Sequence, residues 1–427
     1  TSFGTLTITA GTVKYDGSSA QTILAGDYYN LDIDGSGTKS LAGNTTVKGD
    51  ITLTDGTLDF DGNRNLNVIG DITKTSGALV NSSSSNGYLI LKATSSQNAS
   101  QALCGFTAPS VSIKVQQSAD VEITGNISAN YLWVQANNSG TFTIDNDYTL
   151  EVDNYIKVAG GTLNVVTGSL TTTLNSSSGH ELSGGTLDID GGTVSFGTSS
   201  NSTADLNIDG GILDISGGTL NVSDCIDIVS GTFTQSDGIV NVKTYETGDG
   251  DSDHKFKMAA GTLNLTGGTM NLLGEVNDTS YYSMSVAAGV TTTSTSGHTI
   301  EIFTNDASND EDRYIDMGDA SNDIGNLTFD LDGHELYFIT NTDILGDLTA
   351  TNGDIDVSSK TVNVAGNAEF TNDDLKISTG ILDVEGTFNS PNNTTFSDAG
   401  RLQLAGTVSS LGTMTSTVGT VEYDANG

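Results

Sequence analysis

Hydrophobic and polar residues alternate in short runs along the whole sequence. In Thr186-Leu187-Asp188-Ile189-Asp190, for example, every second residue is apolar. Alternation with a period of two places the apolar side chains on one face of a β-strand and the polar side chains on the other. Windows with the 3.6-residue period of an amphipathic helix are absent. The pattern therefore predicts an all-β protein made of many short strands.

Glycine-threonine-apolar triplets open many of these runs and recur along the sequence. They often come in pairs seven residues apart, as at Gly185 and Gly192, and successive pairs lie 26, 20 and 30 residues apart. The phrase Gly49-Asp50-Ile51-Thr52 returns 21 residues later as Gly70-Asp71-Ile72-Thr73. Runs this short cannot bury an apolar face alone, but stacking one turn of chain on the next closes a continuous apolar interior. The clearest triplets begin at Gly56, Gly161, Gly185, Gly218, Gly231 and Gly261.

The repeats predict a parallel, right-handed β-helix (β-solenoid) rod of about twenty coils, at roughly 21 residues per coil. An antiparallel sandwich would also contain short alternating strands, but it would not give paired corner triplets with near-fixed spacing. We expect residues 1–427 to form one continuous solenoid. Three segments without a clear repeat, 81–105, 244–257 and 304–323, are expected to protrude as loops.

A longer repeat links the two ends of the sequence. Residues 1–19 align without a gap to residues 409–427, an offset of 408, with 10 identities in 19 positions. Both segments contain Gly-Thr-Val-x-Tyr-Asp, at residues 11–16 and 419–424. We therefore expect one superrepeat of about 408 residues (11–418) and the start of the next. Neither end shows a capping helix, so we expect the chain to continue in both directions or a second copy to dock end to end.

Composition agrees with this fold class and narrows the classes of function. Glycine accounts for 52 of 427 residues and proline for only 2, which fits many corners and excludes proline-rich linkers. The 15 Lys and Arg against 53 Asp and Glu give a formal net charge of −38. A polyanion gains nothing from neutralising phosphates, so nucleic acids and anionic membranes are not expected partners. No apolar stretch reaches roughly 18 residues, so we expect no membrane insertion in this segment.

Residues typical of catalysis do not form a complete pattern. Pieces of a polygalacturonase-like signature occur at Asn341-Thr342-Asp343 and Asp373-Asp374, but the Gly-His-Gly that should follow the paired aspartates is missing. An acidic polysaccharide would be repelled by a chain of net charge −38. Neutral sugars usually need aromatic platforms, and Trp133 is the single tryptophan. We therefore expect no catalytic residues and no enzyme activity.

Histidine and cysteine give no metal or redox pattern. Cys104 and Cys225 lie 121 residues apart, which is several coils of a β-helix. A disulfide needs Cα atoms within about 7 Å, so we expect two free thiols. The four histidines, which share no ligand spacing, are His180, His254, His298 and His334.

Acidic loops are the strongest indication of a ligand. The segment Asp249-Gly250-Asp251-Ser252-Asp253 places three carboxylates at alternate positions, as loops that bind Ca²⁺ through oxygen atoms do. One interpretation is a Ca²⁺ site at Asp249, Asp251 and Asp253, with no other cofactor. The alternative is an unliganded acidic loop that keeps the protein soluble. A second acidic segment contains Asp306, Asp310, Glu311, Asp312, Asp316, Asp319 and Asp323.

Three aromatic pairs lie near predicted corners or loops. For these pairs we expect lateral stacking of rings between neighbouring coils rather than ligand binding. The pairs are Tyr28-Tyr29, Tyr281-Tyr282 and Tyr337-Phe338.

The first fifty residues resemble a known group of proteins. The segments Tyr15-Asp16-Gly17, Tyr28-Tyr29-Asn30-Leu31, Gly37-Thr38-Lys39-Ser40-Leu41 and Gly49-Asp50 resemble the repeat region of giant cell-surface adhesins of Bacteroidota, including those of gliding bacteria. The Gly-Thr-Leu coils of the remainder are similar in style to the same proteins. The resemblance implies an exported protein at the bacterial cell surface, in many cases secreted by the type IX system. The C-terminal signal domain of that system is not in this sequence.

These observations favour a structural function. The leading hypothesis is a tandem-repeat unit, a stalk or spacer, of a giant extracellular fibre or adhesin, with neighbouring repeats as its end-to-end partners. Glycans on cells or surfaces would be bound by other parts of the parent chain. A second hypothesis is a separate subunit that polymerises end to end into a filament. A third is a β-helix that binds or cleaves polysaccharides.

Overall fold

The computed structural model of the chain describes residues 10–83, 85–116, 118, 120–135, 139–173, 179–197, 204–244, 254–274, 281–303, 312–319, 322–416 and 418–423. These residues contain strands, turns and bends but no helix. The strands pair in parallel and stack as a β-solenoid of about 17 turns. The predictions of an all-β chain and of a parallel solenoid are therefore confirmed. Two compact units are distinguished, Thr1–Thr198 with Gly210–Ile212, and Ser199–Asp209 with Leu213–Gly427.

In the first unit the strands follow one another at short intervals. They are β1 (Thr12–Tyr15), β2 (Gln21–Ile23), β3 (Gly26–Tyr28), β4 (Asn30–Ile33), β5 (Thr38–Leu41), β6 (Thr45–Val47), β7 (Ile51–Leu53), β8 (Thr57–Asp59), β9 (Asn65–Val68), β10 (Ile72–Lys74), β11 (Ala78–Val80), β12 (Gly87–Leu91), β13 (Ser100–Leu103), β14 (Phe106–Ala108), β15 (Val111–Val115), β16 (Asp120–Ile123), β17 (Ile127–Ala129), β18 (Leu132–Gln135), β19 (Thr141–Ile144), β20 (Thr149–Val152), β21 (Ile156–Gly160), β22 (Thr162–Val165), β23 (Ser169–Thr172), β24 (His180–Leu182), β25 (Thr186–Ile189) and β26 (Thr193–Phe196).

Most turns of this unit contribute one strand to each of three parallel sheets. The first sheet stacks β1, β4, β7, β10, β13, β16, β19, β22 and β25. The second sheet, which carries the candidate site, stacks β3, β6, β9, β12, β15, β18, β21 and β24. The third contains β2, β5, β8 and β11, and then β14, β17, β20, β23 and β26.

The second unit contains longer strands, some of which turn a corner and pair in two sheets. Its strands are β27 (Leu206–Ile215), whose residues 210–212 belong to the first unit, β28 (Thr219–Val222), β29 (Ile226–Gln235), β30 (Ile239–Thr244), β31 (His254–Met258), β32 (Thr262–Leu265), β33 (Gly268–Gly274), β34 (Tyr281–Val286), β35 (Thr291–Ser294), β36 (His298–Phe303), β37 (Arg313–Asp316), β38 (Asp323–Ile324), β39 (Asn326–Phe338), β40 (Thr342–Ile344), β41 (Leu348–Asp356), β42 (Thr361–Val364), β43 (Ala368–Phe370), β44 (Leu375–Ile377), β45 (Ile381–Val384), β46 (Phe388–Asn389), β47 (Asn393–Phe396), β48 (Arg401–Leu404), β49 (Val408–Ser410), β50 (Thr413–Ser416) and β51 (Thr420–Tyr423). One of its sheets stacks β38, β40, β42, β45, β48 and β51.

The alternating sequence pattern places the apolar side chains in the interior of each turn. In β22, Leu163 and Val165 are completely buried, whereas Thr162 and Asn164 are half-buried on the outer face. Their partners one turn later are Leu187 and Ile189, which are also completely buried. Each turn thus stacks its apolar residues on those of its neighbours, and burial of this apolar area stabilises the stack.

Glycine is required at the corners because backbones of successive turns approach closely there. Gly261 has φ +116°, and a Cβ at this position would lie 2.0 Å from the carbonyl oxygen of Gly231. Both residues begin Gly-Thr-apolar triplets. The repeated triplet therefore marks a corner at which only glycine fits over the corner below it.

The length of a turn varies along the chain. Paired residues on successive turns are 18 apart at Thr12 and Asn30, 31 apart at Ile72 and Leu103 and 30 apart at Thr232 and Thr262. These longer turns explain why there are about 17 turns rather than the expected twenty or so.

The three segments expected as loops contain strands in their described parts. Two strands, β12 and β13, lie within 81–105, and β31 lies across the end of 244–257. The segment 304–323 contains β37. Residues 245–253 and 304–311 lie outside the described residues.

Candidate functional site

An aromatic cleft lies on the outer face of the second sheet in the first unit. Its residues occupy one outward position on successive strands. Tyr88 pairs with Ser112, and the N–H of Ile113 donates to the carbonyl of Tyr131, which sets Tyr131 beside Ser112 on the next turn. Leu132 is in register with Ile156, so Tyr155 follows Tyr131 on the turn after that. This position therefore reads Tyr, Ser, Tyr, Tyr along the stack.

The neighbouring outward position carries lysine and tryptophan. Lys114 is in register with Trp133, which is in register with Lys157. The ammonium of Lys114 lies 3.9 Å from the centroid of the Trp133 ring, in a cation–π contact. Lys157 instead pairs with Glu181, at 2.7 Å between Nζ and Oε1.

Ser112 leaves a notch between two tyrosines. Its small side chain occupies the rung between Tyr88 and Tyr131, whose backbones are about 9.6 Å apart, two strand spacings of about 4.8 Å. The resulting cleft has a volume of about 240 Å³. Tyr155 packs its ring edge-on against Tyr131, with centroids 4.7 Å apart and an interplanar angle of 61°. We call this feature the Tyr–Trp cleft; its main lining residues are Asn86, Tyr88, Ser112, Tyr131, Trp133 and Tyr155.

Two polar atoms in the lining have no hydrogen-bond partner in the described part of the chain. They are Oγ of Ser112, which is 1% exposed, and Nε1 of Trp133. At the rim, Asn130 donates from Nδ2 to Oδ1 of Asn86 at 2.8 Å. Buried polar groups are normally paired, so the two unpaired atoms require an explanation.

The cleft was not predicted from the sequence. Trp133 was considered alone, and its tyrosine neighbours in space are Tyr88, Tyr131 and Tyr155. The available signal was the alternation within each run, which places Tyr131 and Trp133 on the same outer face of their strand. The spacing between the aromatic residues follows local turn lengths, and these are not regular in this segment.

The strands at the two ends of the described chain form a second candidate surface. β1 and β51 share the Gly-Thr-Val-x-Tyr sequence, but they pair on opposite edges: β1 with the later strand β4 and β51 with the earlier strand β48. The N–H of Thr420 donates to the carbonyl of Gly400 at 3.0 Å. Since successive residues of a parallel strand bond to opposite sides, the N–H and C=O of Val421 face the other edge.

Apolar side chains are exposed near these edges. Met414, Val418 and Tyr423 are 43%, 57% and 64% exposed. In contrast, Leu402, the partner of Val421 on the preceding turn, is completely buried. A turn stacked on β51 would therefore cover apolar surface in the same way as turns within the unit do. In the first turn, Leu24 and Tyr29 are also exposed.

The predicted calcium ligands Asp249, Asp251 and Asp253 lie outside the described residues, as do Asp306, Asp310 and Glu311. In the rest of the second acidic segment, Asp316 accepts a hydrogen bond from the N–H of Gly318. Burial, and then the charge of Asp343, raises the pKa of Asp323. The described residues contain no group of three or more His, Cys, Asp or Glu side chains that could hold a metal ion.

The carboxylates of the polygalacturonase-like pieces have separate structural partners. Asp343 accepts a hydrogen bond from the amide of Asn363, and Asp374 accepts one from the amide of Asn393. Asp373 is buried and accepts a hydrogen bond from the N–H of Gly353. Burial raises the pKa of the Asp373 carboxyl. Each of these carboxylates thus bonds to the backbone or an amide of a neighbouring turn.

Two histidines predicted to lie in loops or at the surface are interior residues instead. His180 accepts a hydrogen bond at Nδ1 from the N–H of Ile156 and stacks on Phe196. His298 is completely buried, with Nε2 donating to Oε1 of Gln235 at 3.1 Å. Burial lowers the pKa of His180 to about 3 and that of His298 to about 4. The prediction failed because each histidine begins a strand whose inward position it occupies.

The expectation of free thiols is confirmed, since neither Cys104 nor Cys225 forms a disulfide. Burial raises the pKa of Cys104 to about 11. Burial, and then the charge of Asp205, raises the pKa of Cys225. Both side chains are therefore protonated thiols at neutral pH, which makes them poor nucleophiles.

Lateral stacking is confirmed for two of the aromatic pairs. In the second unit, Tyr282, Tyr314 and Tyr337 lie on successive strands, with centroid distances of 5.7 and 5.3 Å. His254 stacks on Tyr282 at 5.0 Å. This aromatic ladder has a ring on every rung, so it lacks the notch that Ser112 creates in the Tyr–Trp cleft.

The described part of the chain contains no helix of the length and hydrophobicity that a membrane span requires. Comparison of the sequence with protein-family models and curated proteins, and comparison with solved structures, finds no match.

Proposed function

We propose that this chain is a structural tandem-repeat unit, a stalk or spacer, of a giant extracellular fibre or adhesin at the bacterial cell surface. Its partners are neighbouring copies of the same repeat, joined end to end, and it carries no catalytic residues. The observation that carries the proposal is that β1 and β51 match in sequence but are each paired on one edge, and on opposite edges.

The two ends are complementary in register. β1 pairs with β4 so that Thr12 faces Asn30 and Val13 faces Leu31. If β51 takes the place of β1 in a following repeat, Thr420 and Val421 pair with that repeat's Asn30 and Leu31. The unpaired backbone groups of Val421 are then satisfied and the exposed apolar side chains are covered.

Covalent continuation and assembly of separate subunits both use this geometry. The covalent form is favoured because the match between 1–19 and 409–427 is a repeat of sequence, whereas two docking edges need only complementary shape. Export to the cell surface, which the resemblance to Bacteroidota adhesins implies, agrees with a chain of charge −38 that has no paired cysteines to form. Calcium at Asp249, Asp251 and Asp253 remains a proposal that a comparison of melting with and without chelator tests.

The mass of the natural chain tests the proposal most directly. We expect denaturing mass measurement on the cells that make it to give several hundred kilodaltons, as a covalent array of repeats requires. A mass near the 44.0 kDa of this sequence would overturn the covalent stalk and support subunits that polymerise.

Hydrogen exchange tests the pairing geometry. In a chain in which residues 1–408 are followed directly by residues 1–427, β1 of the second copy gains a partner on its free edge. We expect its amides to exchange at least tenfold more slowly than those of β1 in the first copy. Strand β42, which already pairs with β40 and β45, is the control and should exchange equally in both copies. Equal exchange of the two β1 strands would contradict the proposed junction.

A further inference from the structure

We propose that the Tyr–Trp cleft binds one pyranose ring of a neutral polysaccharide. This inference does not depend on the stalk function, because the cleft lies on the side of the first unit and involves neither β1 nor β51. It assigns a glycan contact to this chain itself rather than to other parts of a parent protein.

The size of the notch fits a single saturated ring. Van der Waals contact places carbon atoms about 3.5–4.0 Å apart, so a ring held between two aromatic rings needs about 7–8 Å. The rungs of Tyr88 and Tyr131 are separated by about 9.6 Å, two strand spacings. The cleft volume of about 240 Å³ lies below the range of about 300–1,000 Å³ that is typical of sites for drug-sized ligands. A monosaccharide unit is of the right scale, and the rest of a polysaccharide chain would continue over the open surface.

The chemistry of the lining also fits a sugar. Aromatic faces pack against the C–H groups of a pyranose, while Oγ of Ser112 and Nε1 of Trp133 offer hydrogen-bond groups that have no partner in the described chain. The amide of Asn86 adds a polar group at the rim. Ring hydroxyls supply donors and acceptors for these atoms, whereas a purely aromatic or aliphatic ligand would leave them unpaired.

Charge favours a neutral ligand over an acidic one. The two nearby ammonium groups are already engaged, Lys114 with the Trp133 ring and Lys157 with Glu181. The net charge of −38 repels a polyuronate from the whole surface. A neutral polysaccharide meets neither obstacle.

Tryptophan fluorescence gives a direct assay because Trp133 is the only tryptophan in the chain. The full chain is titrated with cellohexaose, xylohexaose, mannohexaose and, as the acidic comparison, a galacturonate hexamer, each up to about 10 mM, well above a weak dissociation constant of about 1 mM. We expect a saturable change in emission with at least one neutral hexamer and a weaker response to the acidic hexamer. The absence of a saturable change with every neutral hexamer, or tighter binding of the galacturonate hexamer, would overturn the proposal.

Two variants and a control locate the binding. Ser112→Tyr fills the notch with a ring that can stack as the rungs of the Tyr282–Tyr314–Tyr337 ladder do, and Tyr131→Ala removes one wall. Each should weaken binding at least tenfold. Tyr314→Ala, which removes an outward tyrosine from the ladder in the second unit, should bind as the unchanged chain does.

Folding is checked by circular dichroism and the midpoint of thermal unfolding, and the two cleft variants provide independent tests. Binding that survives both Ser112→Tyr and Tyr131→Ala, or that is lost equally in Tyr314→Ala, would overturn the assignment to the cleft. Saturable binding of indole with no response to any sugar would also overturn it, in favour of an aromatic ligand.

Discussion

Polar side chains occupy a few of the inward positions of the solenoid, where most residues are apolar. Lys39 is completely buried, and its ammonium donates to the carbonyl oxygens of Gly17 and Gly37 at 2.8 and 2.7 Å, with Gly35 further away at 3.3 Å. His180 and His298 are buried in a neutral form. Because burying an unpaired charge or polar group is costly, these residues depend on hydrogen bonds made by the backbone or by a neighbouring turn.

Replacing Lys39 should reveal how much its three carbonyl contacts stabilise the first turns. We expect Lys39→Met to lower the free energy of unfolding by about 3 kcal/mol, because it leaves buried carbonyl oxygens without their donor. Chemical denaturation monitored by circular dichroism measures the change. Lys48→Met, which removes a solvent-exposed ion pair with Asp27, is the matched control and should have a much smaller effect. Equal effects of the two substitutions would contradict this account of Lys39.

The buried histidines should make the fold sensitive to mild acid. Their folded-state pKa values of about 3 and about 4 lie below the ordinary value of 6.5, so the unfolded chain takes up protons first as the pH falls. Their stability contribution is present above pH 6.5 and is lost progressively below it. Each histidine should contribute a slope of about 1.4 kcal/mol per pH unit between about pH 6 and pH 5, or about 2.7 together.

The variant His298→Gln removes one of these two titrations. Denaturant unfolding at several pH values should then give about half the slope between pH 6 and pH 5. From pH 7.5 to 8.5, where histidine is neutral in both states, the variant and the original chain should show the same slope. An unchanged slope below pH 6 would show that His298 is not the buried neutral group described here.

At the scale of the strand and turn, outward polar residues also link neighbouring turns. Asn241 donates from Nδ2 to Oδ1 of Asn221, and Asn271 donates in the same way to Asn241, both at 2.8 Å. The three residues stand on β28, β30 and β33, which are in register. Such a ladder ties the outer faces of the strands together in addition to the backbone hydrogen bonds.

Removing the central amide should weaken this ladder on both sides. We expect Asn241→Ala to cost about 1–2 kcal/mol of unfolding free energy, since two half-buried hydrogen bonds are lost. Asn363→Ala is the control, because its exposed amide makes one hydrogen bond, to Asp343, and water replaces it readily. Equilibrium unfolding in urea compares the two variants. A larger loss for Asn363→Ala would contradict the proposed role of the ladder.

The sequence predicted elements well where each turn repeats a phrase. The triplet at Gly261 marks a corner, and the alternation that follows it gives β32 with Leu263 and Leu265 inside. Alternation alone also places Lys39 on the same inward face as Leu41, a signal that was available and not used. The Tyr–Trp cleft could not be predicted in this way. Its position depends on which outward residues become neighbours, and that is set by turn lengths of 24 residues from Tyr88 to Ser112 and 19 from Ile113 to Leu132.

At the scale of the whole molecule, net charge opposes the end-to-end contact that the strand edges favour. Two copies that each carry a charge of −38 repel one another, and the sequence pI of about 4.1 means that repulsion persists at neutral pH. Salt screens this repulsion, since the Debye length falls from about 30 Å at 0.01 M to about 3 Å at 1 M. Contacts between paired strand edges and covered apolar side chains are not weakened in the same way.

Association of the isolated chain should therefore increase with salt. We expect sedimentation velocity to show mainly single chains at about 0.01 M NaCl and end-to-end oligomers at about 1 M. Val421→Pro removes an N–H from the free edge of β51 without removing the hydrogen bond from Thr420 to Gly400, so it should leave the chain single at both salt concentrations. Val229→Ser, which removes an apolar side chain that is 52% exposed away from both ends, should associate as the original chain does. Oligomers that persist in Val421→Pro, or that are lost in Val229→Ser, would show that the chains associate through surfaces other than the edge of β51.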